Sequence, residues 1–290
     1  MTTPTPSFNA DAAATFYVEA GDNRIAYRVM GPERVPPLVL AMRFRGVMDE
    51  WDPAFLDALA TTRRVYWFDS AGVGLSSGEV PDSIPGMARV LISFVEALEL
   101  GAVDLLGWSM GGYVVQSATL QRPDLVRRLV VAGSGPGGVP DAPKPSDRVW
   151  QAAGRPVNDD ADFLYLFFPE TEEGIAAGRR HLARLGKRNE PAEMRVDEAG
   201  VKAMIAAFAK FRAEDAIYPQ LERLSVPVLY ANGTNDVMIH AFNSYAAALA
   251  APNAQLILYP RAGHGFLFQH VAAFVRDLTN FLDADHGIEG

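Results

Sequence analysis

Leu105-Leu106-Gly107-Trp108-Ser109-Met110-Gly111-Gly112-Tyr113 is an apolar run that stops at a serine held between glycines and resumes as a helix-forming stretch. A strand that turns within a residue or two into a helix forces the residue at the corner into a strained conformation, and Gly107 and Gly111 leave room for it. Ser109 then projects its hydroxyl beyond the strand, and the amide of Met110, at the start of the helix, points at whatever Ser109 attacks. A serine between glycines can also be an ordinary helix cap. The rest of the chain decides between the two.

Outward from this corner, short apolar runs without alternation recur at residues 37–41, 64–68, 103–106, 129–132, 226–230 and 254–259. Such runs are expected of strands buried on both faces. Residues 15–20 and 24–29, joined by Gly21-Asp22-Asn23, read as a hairpin at an antiparallel edge. Helical periodicity fills the gaps at residues 53–60, 87–98, 111–121, 242–250 and 271–282. Alternation of this kind predicts an α/β fold: a doubly wound, mostly parallel eight-stranded sheet with helices on both faces and its functional edge at the carboxyl ends of the strands.

The rhythm breaks once. Residues 135–219 hold no convincing buried strand, and Gly135-Pro136-Gly137-Gly138 and Tyr218-Pro219 bracket them as hinges. We expect a helical cap insertion at 135–219 lying over a core formed by residues 15–134 and 220–284, with a flexible tail at 1–14.

With 290 residues, 49% of them apolar, the chain has material for a large core. A net charge of −9 argues against a broad nucleic-acid or anionic-membrane surface. There are no cysteines, hence no disulfide, thiolate nucleophile or cysteine-held zinc. The amino end reads as no signal peptide and no stretch is long enough to cross a bilayer, so a soluble, cytoplasmic protein is expected.

A serine hydroxyl needs a base, and the base an orienting carboxylate. Of five histidines, His264 stands just beyond the last predicted strand with glycine on either side. His270 reads as exposed or capping, His240 as the opening of a helix, His181 as part of the cap and His286 as part of the tail. Asp236 follows a glycine turn after the preceding strand; stabilising that turn is its alternative use. Asp141 and Asp215 are fallbacks beside the cap.

On these residues the chain resembles the α/β-hydrolase fold superfamily, whose order is serine, acid, histidine. Asp69-Ser70-Ala71-Gly72-Val73-Gly74-Leu75-Ser76 is similar to the family's Asp-x-x-Gly-x-Gly-x-Ser loop. The resemblance implies a catalytic triad of Ser109, Asp236 and His264, with oxyanion-hole amides from Met110 and, by register, Phe44. Relatives have His-Gly-x where this chain has Met42-Arg43-Phe44-Arg45-Gly46. Arg43 and Arg45 either pair with Asp49, Glu50 or Asp52, the favoured reading, or point into the pocket toward a substrate carboxylate. Trp108 and the aromatics Phe163, Tyr165, Phe167 and Phe168 suggest an apolar pocket, Arg43 and Trp108 being the candidate substrate contacts.

The resulting expectation is a serine hydrolase of a small to medium, largely apolar ester or lactone. Its partner is a small-molecule substrate, and no metal or organic cofactor is implied. Other triad chemistry stays open: cofactor-free perhydrolysis, carbon–carbon bond hydrolysis or a biosynthetic tailoring step. A low-turnover ligand receptor is the reading from outside enzymology.

Overall fold

Gly21, at φ 60°, and Asp22 turn β1 (Phe16–Ala20) back on β2 (Asn23–Met30). The pair is antiparallel, with Val18 opposite Ile25. In this computed structural model, which describes residues 8–33, 36–185 and 196–284, that hairpin forms one edge of the sheet. The remaining strands are β3 (Leu38–Ala41), β4 (Val65–Phe68), β5 (Val103–Trp108), β6 (Val126–Ala132), β7 (Val228–Gly233) and β8 (Ala254–Tyr259). The order is β1-β2-β4-β3-β5-β6-β7-β8; β2 meets β4 antiparallel, and every later pairing is parallel.

Successive residues of the buried strands feed two separate cores, as a pleat with side chains alternating between faces requires. Leu38 and Leu40 face the side covered by α1 (Pro53–Ala60), α9 (Phe266–Gln269) and α10 (Val271–Asp283). Val39 and Ala41 face the side covered by α2 (Ile84–Ala97), α3 (Met110–Gln121) and α8 (Ala241–Ala250). Helix α2 begins three residues earlier than its periodicity predicts. Ser83 caps it by accepting from the Gly86 amide at 3.3 Å, and Pro85 in the first turn has no amide to lose.

Between β6 and β7 the described residues contain no strand. The chain runs instead through α4 (Asp147–Ala153), α5 (Asp160–Phe167), α6 (Glu172–Leu185) and α7 (Glu198–Phe211). Helix α6 is tied to the core through one carboxylate. Asp52, which caps α1 through Oδ1, also lies 2.7 Å through Oδ2 from Nδ1 of His181 and accepts from Nε of Arg184 at 2.8 and 2.9 Å. The carbonyl of Phe167, at the end of α5, accepts from the Gly265 amide at 2.7 Å and so touches the turn that carries His264.

Candidate active site

Ser109 sits between β5 and α3 at φ 58°, ψ −120°, the strained corner expected of a strand that becomes a helix without a loop. The two elements approach so closely that only glycine fits beside the corner. A Cβ on Gly107 would stand 2.1 Å from the Gly111 carbonyl oxygen, and one on Gly111 would stand 2.1 Å from that of Ala41. The Ser109 amide donates to the Ala132 carbonyl at 2.9 Å, and its own carbonyl accepts from Ser134 Oγ at 2.7 Å. Ser134 in turn accepts from Ser244 Oγ, and Asn232 donates to Ser244 and to the Ile239 carbonyl. This relay of small polar groups joins the serine corner to the turn after β7. Sequence reading missed it, because Ser134, Asn232 and Ser244 belong to three separate elements and carry no local pattern.

Asp236 lies in that turn, 3% exposed, and uses both carboxylate oxygens. Oδ1 accepts from the amides of Met238 and Ile239 at 2.8 and 2.9 Å, while Oδ2 lies 2.7 Å from Nδ1 of His264. Asp236 therefore braces its own turn and bonds His264 at the same time. With two amides donating to Oδ1, Oδ2 is left to accept from Nδ1 of His264.

The His264 ring is fully buried, with Trp108 and Phe167 centred 5.7 and 5.5 Å away. Its Cε1 lies 3.4 Å from where a Cβ on Gly133 would stand; Gly133 follows Ala132, the residue bonded to Ser109. Nε2 is buried and makes no hydrogen bond. The ring is thus anchored at one nitrogen and uncommitted at the other, without a resting hydrogen bond to Ser109. Such bonds are often long before substrate arrives.

Beyond β3, Arg43-Phe44-Arg45-Gly46 forms a turn in which the Gly46 amide donates to Arg43 O at 3.1 Å. Arg43 pairs with Glu50 at 2.8 Å, as the favoured reading expects. Asp49 pairs with Arg28 of β2. Arg45 reaches the carbonyls of Arg155, at 2.8 Å, and Pro156. Met110, the first residue of α3, carries one of the amides that a helix leaves without an internal partner.

Two cavities meet at Ser109, both of them also lined by Phe44, Ala153 and Met238. The larger, about 600 Å³, is walled by Arg43, Arg45, Glu50, Asn158 and Phe163. The smaller, about 250 Å³, is apolar, with Tyr113, Trp150, Ile205 and Phe208. Phe163 and Phe167 line the larger cavity, whereas Tyr165 and Phe168 line neither. Trp108 corrects its assignment as a substrate contact. It lines neither cavity, is fully buried against Trp51 and Phe268, and its indole N–H donates to the His264 carbonyl at 3.0 Å. The residue beside a strand-end serine alternates to the opposite face of the sheet, here into the core that supports the histidine loop.

The other described histidines lie apart from this junction. His240 caps α8 through Nδ1, which accepts from the Phe242 amide at 3.1 Å. His270 is half-buried against Tyr259 rather than exposed, and burial pushes its imidazole below the ordinary value. His181 is fully buried, its ring 4.5 Å from that of Phe268 and nearly parallel to it. Burial pushes His181 down as well, its bond to Asp52 opposing the effect. Burial is the largest influence on Asp52 and pushes it up, but hydrogen bonds from His181 and Arg184 outweigh it and hold the carboxyl below its usual range. His286 lies outside the described residues. Among the described residues there is no group of three or more His, Cys, Asp or Glu placed to hold a metal ion, and no helix long and apolar enough to cross a membrane.

A parallel sheet whose strand ends carry a strained serine, an aspartate–histidine pair and a cavity above them defines a hydrolase scaffold. Residues 36–271 match the family described as α/β hydrolase fold, and the chain belongs to that family of enzymes. An α/β-hydrolase-fold protein from Chitinophaga pinensis is similar in structure, with a TM-score of 0.87 and 31% identity over 96% of this chain and 100% of that one. A pimeloyl-[acyl-carrier protein] methyl ester esterase of Nitrosomonas europaea is 28% identical over 247 residues, 83% of this chain and 93% of the relative. A 2-hydroxy-6-oxononadienedioate/2-hydroxy-6-oxononatrienedioate hydrolase of Pseudomonas putida is 26% identical over 211 residues, 67% of this chain and 68% of the relative.

Proposed function

We propose that this enzyme is a serine hydrolase of a small to medium, largely apolar ester or lactone. The observation that carries the reading is a histidine fixed to Asp236 at Nδ1, uncommitted at Nε2, and packed against Gly133, which follows the residue bonded to the Ser109 amide. In this mechanism His264 Nε2 takes the Ser109 proton as Oγ bonds to the substrate carbonyl carbon. The tetrahedral oxyanion is met by the amides of Met110 and Phe44. The intermediate collapses, the bond to the leaving alkoxide breaks, and His264 returns the proton to it. Water, deprotonated by the same histidine, then displaces Ser109 and frees the acid.

The two cavities that share Ser109 suit a substrate with two arms on the scissile carbonyl: the apolar one for an alkyl or aryl arm, the larger and more polar one for the other. Residues 135–219 act here as a cap, since Ala153, Phe163 and Phe167 contribute to the cavity walls. The name of the Nitrosomonas relative supports ester substrates.

The test is a panel of esters and lactones turned over by wild type and Ser109→Ala, with fluorophosphonate labelling read by mass. Expected are labelling at Ser109 alone and a fall in turnover of at least about a thousandfold in the variant. Turnover that survives the substitution would falsify the reading. Tight ligand binding without labelling would favour the receptor alternative.

A further inference from the structure

Ser109 caps α3 and Tyr113 stands one turn further along it, a spacing that puts two residues on the same side of a helix. Tyr113 is 6% exposed. Three tyrosines are buried among the described residues, and two of them give their hydroxyls to a protein acceptor: Tyr230 donates to Gln116 Oε1 at 3.0 Å, and Tyr259 to Asp277 Oδ2 at 2.9 Å. The Tyr113 hydroxyl has no hydrogen-bond partner among the described residues. Burying a hydroxyl without a partner is costly, so one that persists calls for a partner from outside the chain.

This oxygen is not sealed into the core. Tyr113 lines the apolar cavity that reaches Ser109, and also a third cavity of about 390 Å³ to which Asp141, Arg212 and Asn243 contribute. Pro145, Phe208, Met238 and Ile239 line both as well, so the tyrosine stands in their common wall. Helix α7 fixes the ring there: Phe211 stacks on it with centres 4.3 Å apart, and Phe208 flanks it at 6.0 Å. Burial pushes the phenol above its ordinary value, Asp236 adding to the effect and Arg212 opposing it, so the oxygen keeps its proton and remains a donor. A donor held still in an apolar wall bonds more strongly than it would in water. No charged residue lines the apolar cavity, which leaves a carboxylate there without a counter-charge. The acceptor that suits this hydroxyl is a neutral oxygen.

We infer that the Tyr113 hydroxyl is a specificity-determining contact for the substrate arm in the apolar cavity, donating to a ketone, ether or second ester oxygen on an otherwise hydrocarbon chain. This rests on the proposed Ser109 chemistry and narrows its substrate class to esters or lactones with a second, neutral acceptor. A plain hydrocarbon arm of the same length displaces water from the hydroxyl and leaves it unpaired, and that penalty supplies the discrimination.

The experiment walks one oxygen along the substrate. In a series of methyl esters, each methylene of the acyl chain is replaced in turn by a carbonyl or an ether oxygen; a series of acetates carries the same replacements in the alcohol chain. For wild type, kcat/KM at one position of one series is expected to exceed that of the hydrocarbon ester of equal length by about 10- to 100-fold, and Tyr113→Phe should bring that ratio to within about threefold of unity. A ratio that Tyr113→Phe leaves unchanged overturns the inference. So does a wild-type scan with no favoured position, a result that needs no variant to fold. A preference confined to esters bearing a carboxylate, and lost in Arg212→Ala, also overturns it and moves recognition to the third cavity. The melting temperature of Tyr113→Phe should equal or exceed that of wild type, because the variant loses an unpaired oxygen; a fall of several degrees would reveal a partner within the protein and overturn the inference. Ser109→Ala runs alongside: turnover that survives it overturns the catalytic reading and this inference together, whereas Ser109-dependent turnover without an oxygen preference overturns this inference alone.

Discussion

Two buried aspartate–histidine pairs lie among the helices between β6 and β7 and the core beside them, and they are nearly alike in chemistry. In each, Nδ1 of a fully buried imidazole lies 2.7 Å from Oδ2 of an aspartate, and Nε2 is buried without a hydrogen bond. Each ring is packed against aromatics, His264 against Trp108 and Phe167, His181 against Phe163 and Phe268. They differ in what surrounds them. Asp236 spends its second oxygen on two backbone amides of its own turn, and His264 packs against Gly133, next to Ala132, whose carbonyl accepts from the Ser109 amide. Asp52 spends its second oxygen on a helix cap and on Arg184, and both of its histidine and arginine partners come from α6. A charge-paired imidazole is therefore no catalyst by itself. The strand ends make one pair a candidate proton relay and leave the other a fastening between α6 and the start of α1.

The sharpest way to break this comparison is to delete each ring. His264→Ala is expected to lower kcat by at least about a thousandfold, since the serine keeps only its oxyanion donors, and to cost stability as the loss of any buried, paired ring does. His181→Ala should cost about 2–4 kcal/mol in chemical denaturation for that same reason, from the cavity and the weakened buried pair, but leave kcat per folded molecule close to wild type. Comparable activity losses in both variants would mean that the fastening is part of the catalytic machinery.

The aspartates should separate in the same manner. Asp236→Asn leaves a neutral partner that no longer favours the required tautomer, and kcat should fall by about 10³- to 10⁴-fold. Asp52→Asn leaves Arg184 without its counter-charge and should cost about 3 kcal/mol, seen as a drop in melting temperature of several degrees.

A smaller effect concerns pH. His181 is held below its ordinary value by burial, so the unfolded chain binds that proton more readily than the folded one. Its contribution to stability is whole above about pH 6.5 and is lost as pH falls below it. Urea midpoints of wild type should therefore decline between pH 7.5 and 5.5, by up to about 1.4 kcal/mol per pH unit from this group. His181→Gln, which can still donate to Asp52, should flatten the slope; an unchanged slope would locate the titration elsewhere. Asp52, held low, adds its own loss only below about pH 4.

The smallest expected effect is Ser134→Ala. It removes the 2.7 Å bond to the Ser109 carbonyl and should cost about 1 kcal/mol of stability and a few-fold in kcat. A loss approaching that of His264→Ala would show that the polar relay, more than glycine packing, sustains the strained corner.

Much of this was legible in the residues alone, wherever a local rule applied. Eight strands follow from runs such as Leu38–Ala41, buried on both faces, and from the hairpin at Gly21 and Asp22. The strained corner follows from Gly107 and Gly111, because contact there excludes any Cβ. Ser109, Asp236 and His264 each stand one turn beyond a predicted strand, and a parallel sheet sends such turns to one edge. Tertiary structure decided what distance along the chain conceals. Trp108 could be read as a pocket residue until the pleat turned it into the core beneath His264. His181 carries no local sign that Asp52, 129 positions earlier, will accept its proton. Arg43 looks alike whether it faces Glu50 or a ligand, and only the fold of its turn tells the two apart. Periodicity and steric exclusion act between neighbours in sequence; the pairing of buried charges acts between neighbours in space.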